Sequence, residues 1–343
     1  MGIVYTNFSE MTSTKENLLK KRLQSVIILS KGGVKMFIRQ QAFTGENKLL
    51  KGALHCHTTR SDGKVTPEDV IRLHKENEYD FMAITDHNIY NYKNYAEDVE
   101  ITIIPGMEVD NTFERIKGFR TFHHVCLGPD DETNGYAQDQ RLPNGNAKDQ
   151  YEYQPYLDAI HANNNITFYC HPEWSSTPPR YFDKLKGNVA MEIWNSGGAD
   201  ENYMDTNALY WDDLLGQGIK LWGVATDDGH QPHHHCKGWV MVNAENNVKS
   251  ILEAIKDGKF YSSCGPIIKD FYFENGNIYL DCEPVEKIYF LSDCHPTEIF
   301  TNEGGQITHA ETDIDPENYK YIRAYVIDKD GKQAWTNPIF FED

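Results

Sequence analysis

The sequence predicts an α/β fold in which a parallel sheet closes, or nearly closes, into a barrel. Short apolar segments that are typical of buried strands alternate with helical patterns from residue 49 to about residue 257. The chain has 343 residues, which is long for one ordinary domain and sufficient for a barrel with an appendage. After about residue 265 strand and turn patterns replace the helical ones. We therefore expect a barrel followed by a small β-rich unit.

Each predicted element rests on a local signal. The first helix begins after Thr66, because a hydroxyl N-cap, a proline at the first helical position (Pro67) and acids in the first turn are usual start signals. The other elements follow from apolar runs and helical spacing. The predicted strands lie at residues 49–57, 81–85, 101–104, 125–127, 166–170, 189–194 and 221–225, and further helices lie at residues 154–162, 202–215 and 248–257.

The chain is expected to have three parts: an N-terminal extension with a first strand region (residues 1–48), the barrel (49–266) and a β-rich unit (267–343). In the extension, residues 15–22 form a basic, helix-compatible run, and a strand could begin after Met36. Met36 could also be the true start of the protein, which the sequence leaves open.

Two further segments carry turn and loop signals. Residues 130–150 are rich in acids, Asn and Gln, which predicts a solvated loop or lid. In the last part, Asn275 and Gly276 predict the turn of a hairpin. Strands are predicted there at residues 269–273, 278–281, 287–291, 319–328 and 334–341.

Charge and cysteine content exclude several functions. The chain has 52 acidic and 33 basic side chains, a net charge of −19. Because phosphate contacts need clustered lysine and arginine, we expect no long nucleic acid as partner, whereas a small phosphorylated ligand is compatible if a metal neutralises its charge. Seven scattered cysteines are typical of reduced thiols. No apolar run approaches the roughly 20 residues of a membrane span, so we expect a cytoplasmic protein without a membrane partner.

Histidines and acids follow the predicted strands at the positions where barrel enzymes carry their chemistry. His55 and His57 flank Cys56 on one predicted strand, so both imidazoles point to the same side. Asp86 could orient an imidazole. Because the carboxyl ends of parallel strands meet at one face, these ligand types predict a polynuclear metal centre. The other candidates are Asp62, His87, Glu108, His123, His124, His171, Asp227, Asp228 and His230.

The order of these motifs resembles the PHP (polymerase and histidinol phosphatase) superfamily of metal-dependent phosphoesterases over residues 52–266. The motifs are His-Cys-His-Thr-Thr-Arg-Ser-Asp-Gly, Thr-Asp-His, Gly-Met-Glu, His-Val-Cys-Leu-Gly, His-Pro and Asp-Gly-His. Later phrases such as Trp-Asp-Asp-Leu-Leu and Ser-Cys-Gly-Pro resemble the branch that includes carbaryl-hydrolase-type metallohydrolases. The resemblance implies a distorted (β/α)7 TIM-like barrel with two or three divalent metal ions, for which Zn, Mn and Fe all suit the ligand types.

The resemblance also implies which residues bind each metal. His124 is preferred to His123 because Val-Cys-Leu-Gly follows it in the motif register, and Asp228 is preferred to Asp227 because the family's D-x-H spacing is read back from His230. The His233–His235 triplet has no place in the motif, and a solvated loop rim is the favoured interpretation. The implied ligands are His55, His57 and Asp228 for the first metal, Glu108 bridging to the second, His124 and His171 for the second, and Asp62, His87 and His230 for the third.

The implied activity is that of a metal-dependent hydrolase, favouring a phosphoesterase that acts on a small phosphorylated metabolite or nucleotide. A hydroxide bridging two metals would be the nucleophile. Arg60 would hold a phosphate oxygen, although a surface charge is an equal alternative. His230 would help protonate the leaving oxygen if it is not fully committed as a metal ligand. Glu108 and Asp228 complete the expected catalytic set.

Other functions stay open at this point. The same site could hydrolyse a carbon ester, a carbamate or an amide. A non-catalytic scaffold is disfavoured because all nine ligand positions hold competent residue types. An amidohydrolase barrel ranks lower because Glu108 stands where that fold usually carries a bridging lysine. Processing of nucleic acid ends would be restricted to nucleotides or very short oligomers by the negative charge.

Overall fold

A computed structural model describes residues 24–30, 33–43, 45, 47–114, 120–294 and 298–341. The basic run predicted at residues 15–22 lies outside these ranges.

The helices are α1 (Pro67–Glu76), α2 (Gln150–Ala162), α3 (Ser196–Asn202), α4 (Leu209–Gly216) and α5 (Val248–Lys256), with 3-10 turns at Pro179–Tyr181 and Pro316–Asn318. The strands up to residue 263 are β1 (Gln24–Ser30), β2 (Gly33–Gln41), β3 (Leu49–Ala53), β4 (Phe81–Ala83), β5 (Thr102–Ile104), β6 (Gly106–Glu114), β7 (Arg120–Leu127), β8 (Ile166–Tyr169), β9 (Asn188–Asn195), β10 (Trp222–Thr226), β11 (Trp239–Asn243) and β12 (Phe260–Ser263). The later strands are β13 (Ile268–Glu274), β14 (Asn277–Val285), β15 (Lys287–Ser292), β16 (Glu298–Thr301), β17 (Ile307–Asp313), β18 (Tyr321–Ile327), β19 (Gln333–Thr336) and β20 (Ile339–Phe340).

The strands form three sheets. One has the order β10-β9-β8-β7-β6, a second has the order β16-β15-β18-β19-β12-β11-β3-β4-β5 with β20 paired to β18, and a third has the order β1-β2-β13-β14-β17. Parallel pairs join β3, β4 and β5 in one sheet and β8, β9 and β10 in another. The mixed α/β class is confirmed.

The strands that the structure describes do not pair into a closed barrel, so that prediction is not confirmed. Parallel neighbours need crossover connections of a dozen or more residues, whereas five residues separate β6 from β7, and these two strands pair antiparallel. The pairing of β7 with β8 is antiparallel as well. Pro105 alone separates β5 from β6, which lie in different sheets, so no helix follows β5 and the alternation is interrupted. Two isolated parallel bridges, Cys56 with Gly229 and His87 with Glu108, link the two sheets.

The helix predicted after Thr66 is confirmed as α1, whose Asp69 amide donates to Thr66 Oγ1 at 3.2 Å. The single helix predicted over residues 202–215 is wrong, because the structure has α3 and α4 there. Tyr203 ends α3 in the left-handed region, with φ 60°. Such a residue closes a helix rather than continuing it. A strand after Met36 is confirmed as β2.

An apolar core lies between the first two sheets. Its packing holds in place the strand ends that carry the polar residues. Its largest members include Phe81, Phe168 and Phe260, all fully buried. The ladder of β12 with β19 continues one sheet into the C-terminal strands. The pairing of β2 with β13 joins the N-terminal strands to the same β-rich unit.

The segment predicted as a loop or lid, residues 130–150, lies against β6 and the loop that follows β4. The Tyr90 amide donates to Gln140 O at 2.9 Å, and the Gly145 amide donates to Asp110 O at 2.8 Å. These backbone bonds hold the middle of the segment, which runs into α2 at Gln150. In the described part of the chain, no helix has the length and apolar content needed to cross a membrane.

Candidate metal centre

Backbone bonds beyond the ends of β3 and β10 place His55 and His57. The Asp228 amide donates to His55 O at 3.1 Å, and the His57 amide donates to Gly229 O at 3.3 Å. The extended backbone directs both imidazoles to one side, with 3.1 Å between their Nε2 atoms. Gly63 lets the following loop close on this segment, since a Cβ there would lie 2.6 Å from the His57 carbonyl.

Glu108, on β6, is the hub of the cluster, and its side chain is buried. Its amide donates to Thr85 O at 3.0 Å, which ties β6 to the end of β4. Its Oε1 lies 2.9 Å from His123, 3.2 Å from His171 and 3.5 Å from His55, measured to imidazole nitrogens. Its Oε2 lies 3.1 Å from both His57 and His87.

Asp62, His87 and His230 form the open side of the cluster. Asp62 lies 3.4 Å from His230 Nε2 and 3.6 Å from His87 Nε2. The three side chains are 54%, 23% and 25% exposed, whereas His55, His57 and Glu108 are buried. A molecule from solvent therefore reaches the cluster over these three residues.

Asp228 and His171 complete the cluster from the ends of β10 and β8. Asp228 Oδ1 lies 3.3 Å from His55 Nε2 and 3.2 Å from His57 Nε2, and Oδ2 lies 3.8 Å from His171 Nε2. Both residues have a left-handed backbone, with φ 48° for Asp228 and 28° for His171. For residues other than glycine this conformation costs about 1–3 kcal/mol and clusters at functional sites.

The structure places His123, and not His124, beside Glu108, which is the opposite of the sequence preference. His123 Nδ1 lies 2.9 Å from Glu108 Oε1. His124 points to the opposite face of β7, because neighbouring residues of a strand alternate in direction. Its ring nitrogens lie 3.3 Å from the Tyr153 hydroxyl and 3.2 Å from Asn188 Nδ2. His124 is therefore not brought to the cluster.

The choice of Asp228 over Asp227 agrees with the placement in the structure. The Asp227 carboxylate points away and accepts the backbone N–H groups of residues 236–238 at 2.6–2.9 Å. The sequence interpretation of residues 233–235 as a solvated loop rim is wrong for two of the three histidines. His233 is exposed, but His234 and His235 are buried.

Two residues that sequence reasoning missed support the cluster from behind. Glu192 Oε1 lies 2.7 Å from His55 Nδ1, and Glu192 Oε2 accepts the His171 amide at 2.8 Å. Asn195 donates to Glu192 at 2.8 Å and to Asp228 at 3.3 Å. A signal was present, since Glu192 is the one charged residue inside the apolar run at residues 189–194.

Asp86 and Arg60 take positions that differ from the expectation. Asp86 accepts the amide and hydroxyl of Thr58, both at 2.8 Å, and the Ser61 hydroxyl at 2.7 Å, so it orders the loop and not an imidazole. Arg60 forms an ion pair with Asp139. The Arg60 guanidinium is thus held by residues 130–150.

Burial and charge act against each other on the imidazoles. Burial disfavours a charged His57, but the carboxylates of Asp228 and Glu108 outweigh it and raise the pKa of His57 to about 10. The same balance raises the pKa of His171 to about 9. Burial and neighbouring imidazoles lower the pKa of His87 to about 4 despite Glu108. The imidazoles in turn hold the pKa values of Glu108 and Asp228 well below their usual range, against the effect of burial.

The cluster fits divalent cations. Among the described residues, His87 Nδ1, Glu108 Oε2 and Asp228 Oδ1 are buried without a hydrogen-bond partner. Buried polar atoms are normally paired, and imidazole with carboxylate is the donor set of Zn, Mn and Fe sites. Three overlapping groups have ligand atoms within 4.8 Å of one another: His57, Asp62, His87 and His230; His55, His57 and Glu108; and His87, Glu108 and His123.

The PHP domain family model matches residues 53–262. This segment is more than half of the chain and includes every residue of the cluster, so the chain belongs to the PHP domain family. No curated protein matches the chain. The resemblance to the carbaryl-hydrolase-type branch stays a prediction.

Several solved structures are similar to this chain. A two-domain protein from Bacteroides vulgatus, containing a predicted PHP-like metal-dependent phosphoesterase, shares 14% identity with a TM-score of 0.45 over 88% of this chain and 98% of that chain. An amidohydrolase from Chromobacterium violaceum with bound sulfate and no metal shares 14% identity with a TM-score of 0.37 over 53% of this chain and 88% of that chain. An inferred metal-dependent phosphoesterase from Bifidobacterium adolescentis shares 13% identity with a TM-score of 0.33 over 52% of this chain and 87% of that chain.

Proposed function

We propose that this chain is a metal-dependent hydrolase, and specifically a phosphoesterase that acts on a small phosphorylated metabolite or nucleotide. The observation that carries the proposal is the convergence on Glu108 of five imidazoles within 3.5 Å, beside Asp228 and Asp62. Membership of the PHP domain family supports the same function. Zn, Mn or Fe would suit the ligands, in two or three sites.

The contacts divide the ligands into three groups around the hub. We assign Glu108 to bridge the first two groups because each of its oxygens contacts different imidazoles. His123 replaces His124 in the second group on the distances given above. The proposed groups are His55, His57 and Asp228; His123 and His171; and Asp62, His87 and His230.

The charge of the site favours a phosphorylated substrate only when cations are bound. The side chains of Asp62, Glu108 and Asp228 are acidic, and Arg60 is already paired with Asp139. Bound divalent ions lower the pKa of water toward neutrality and offset the charge of a phosphoryl group. The substrate would enter over the open side of the cluster.

The chain's own residues would orient the substrate and move protons. His230 Nδ1 lies 2.9 Å from Asp228 O, so it donates to that carbonyl and turns Nε2 toward Asp62 and solvent. We propose that His230 delivers a proton from Nε2 to the leaving oxygen when the third group holds no metal. Arg60 would exchange Asp139 for a phosphate oxygen, a partner that its planar fork suits well.

We interpret the architecture around the site as a distorted (β/α)7 barrel that is open between its sheets. The bridges of Cys56 with Gly229 and of His87 with Glu108 support this interpretation, because they connect the sheets at the end that holds the cluster. The division near residue 266 between a barrel and a C-terminal unit is likewise a proposal.

The proposal can be tested with a panel of substrates. Protein reconstituted with Mn²⁺ or Zn²⁺ is assayed against mononucleotides, sugar phosphates, phosphodiesters, carboxylic esters and aryl carbamates. We expect release of phosphate from monoesters, or of an alcohol from diesters, and loss of both in the His171→Ala variant. Turnover confined to esters or carbamates of carbon would overturn the phosphoesterase assignment and favour the alternative hydrolase on the same site.

A further inference from the structure

A second cluster of ligand-type side chains lies behind the candidate metal centre. It consists of His74 on α1, Asp227 at the end of β10, and His235 in the loop that follows. Each offers one ligand atom, and the three atoms lie within 4.8 Å of one another. All three side chains are buried. None of the three belongs to the centre built on Glu108.

The tautomer of His74 leaves a lone pair facing this cluster. His74 Nδ1 lies 2.8 Å from Val70 O, and a carbonyl can only accept, so Nδ1 carries the proton. The neutral ring then presents Nε2 as an acceptor, which has no hydrogen-bond partner in the described part of the chain. Its neighbour is Asp227 Oδ2, at 3.8 Å, which is also an acceptor. Two buried acceptors that face each other need a positive charge between them, supplied by a metal ion or by a second proton on the imidazole.

His235 brings a second unpartnered nitrogen. Its Nε2 is buried and lacks a hydrogen-bond partner among the residues described. The other nitrogen, Nδ1, lies 3.9 Å from Cys56 Sγ. The ring is fixed by close packing, since a Cβ at Gly229 would lie 2.2 Å from His235 Nδ1.

Asp227 is held in the manner of a metal ligand. Its carboxylate accepts the amides of Cys236, Lys237 and Gly238 at 2.6, 2.9 and 2.8 Å, which fixes its position and keeps it acceptor-only. Oδ1 accepts two of these bonds and Oδ2 accepts one, so Oδ2, the oxygen nearest His74, keeps a lone pair available. Hydrogen-bonded carboxylates, and imidazoles that donate their other N–H to a carbonyl, as His74 does, are the usual surroundings of bound metals.

We infer that His74, Asp227 and His235 form a separate metal site that takes one Zn²⁺ ion. Two imidazoles and one carboxylate are a common zinc donor set. The ion would pin the loop after β10 to α1. Because that loop begins with Asp228 and His230, the site would also stabilise the open side of the candidate centre. The inference does not depend on the proposed reaction.

The test counts zinc ions in a protein whose main centre has been removed. The His57→Gln/Glu108→Gln/His230→Gln variant leaves no more than two ligands in each of the three proposed groups. It is loaded with Zn²⁺, desalted and examined by native mass spectrometry. We expect one Zn²⁺ per chain to remain. Adding His74→Gln or, as a second variant, His235→Gln should remove that ion, with folding checked by circular dichroism. His233→Gln is the matched control, since its exposed imidazole pairs with Asp200, and it should keep the ion.

Two outcomes would overturn the inference. The main-centre variant could hold no zinc, which would mean that a proton on His74 supplies the positive charge. The ion could also persist in folded His74→Gln and His235→Gln proteins, which would assign it to other ligands. The readout is metal content, so these outcomes are distinct from failure of the hydrolase proposal.

Discussion

At the scale of single residues, the carboxylate of Glu108 allows five imidazoles to lie close together. Its two oxygens contact five histidine rings, and the rings hold the carboxyl ionised although it is buried. A buried charge is tolerated only when it is paired. Without cations the imidazoles carry that compensation as protons, and with cations the metals would carry it.

The alternation along β7 gives a matched pair of variants. His123→Ala removes a ring that lies 2.9 Å from Glu108, so we expect loss of metal and at least about a 100-fold fall in kcat/KM. His124→Ala removes a ring that packs against Tyr153 and Tyr169, and should lower the melting temperature while kcat/KM stays close to the wild-type value. Equal kinetic losses in the two variants would contradict the assignment of His123.

The raised imidazole pKa values predict that metal binding releases protons. In the metal-free fold the pKa is about 10 for His57 and about 9 for His171, because carboxylates outweigh burial. Such charges stabilise the metal-free fold fully below pH 6.5, the unfolded value, and this contribution is lost as the pH rises through 9 to 10. Calorimetric titration with Zn²⁺ at pH 7.5, in two buffers of different ionisation enthalpy, should therefore show release of more than about one proton per chain. A heat that does not depend on the buffer would contradict these charge states.

At the scale of elements, residues 130–150 and the loop after β3 meet at the open side of the site. The contact is the ion pair of Asp139 with Arg60, whose guanidinium also lies 5.3 Å from the Tyr95 ring centre. Polar composition predicted a loop here, but it could not show the backbone bonds that hold this segment against β6 and the loop after β4. Those bonds depend on residues distant in sequence.

Opposite effects are expected when the two partners of this ion pair are changed. Arg60→Gln removes a donor for phosphate and should raise KM about 10-fold with kcat little changed. Asp139→Asn removes an anion that competes with phosphate for the same guanidinium, so KM should fall. Steady-state kinetics on a phosphorylated substrate measures both. A KM that moves in the same direction in both variants would show that Arg60 has only a structural role.

At the scale of the whole molecule, one sheet runs from the PHP segment into the C-terminal strands through β12 and β19. The two parts are also joined by Arg323 on β18, which is buried and donates to both oxygens of Asp212 on α4 at 2.7 and 2.6 Å. Removing one partner of a buried pair leaves an uncompensated charge, which is much costlier than losing an exposed pair.

This contrast gives a prediction for stability. Asp212→Ala leaves the buried guanidinium of Arg323 unpaired and should lower the free energy of unfolding by about 3–5 kcal/mol. Arg72→Ala, which breaks the exposed pair of Arg72 with Asp98, should lower it by less than about 1 kcal/mol. Urea unfolding measures both variants. Similar changes in the two would mean that the C-terminal unit does not depend on this pair.

The sequence predicted which side chains meet at the strand ends better than it predicted the closure of the fold. His55 and His57 were predicted from local strand geometry, and the strand ends at His87, His171 and Asp228 from apolar runs. The sequence could not show which of His123 and His124 on β7 points toward the cluster, because two adjacent residues of the same type give no local signal for the direction of either side chain. The strand β6, which follows Pro105 directly and pairs antiparallel with β7, was missed because it carries polar residues at Glu108 and Asp110.

The hydrolase account is tested most directly by the metal dependence of phosphate release. The purified chain is stripped with a chelator, assayed, reloaded with Mn²⁺ or Zn²⁺ and assayed again, beside His171→Ala and Asp228→Asn. We predict that turnover is lost on stripping, returns on reloading, and stays below about a tenth of the wild-type rate in both variants. Phosphate release that survives stripping, or that both folded and metal-saturated variants retain, would contradict the account.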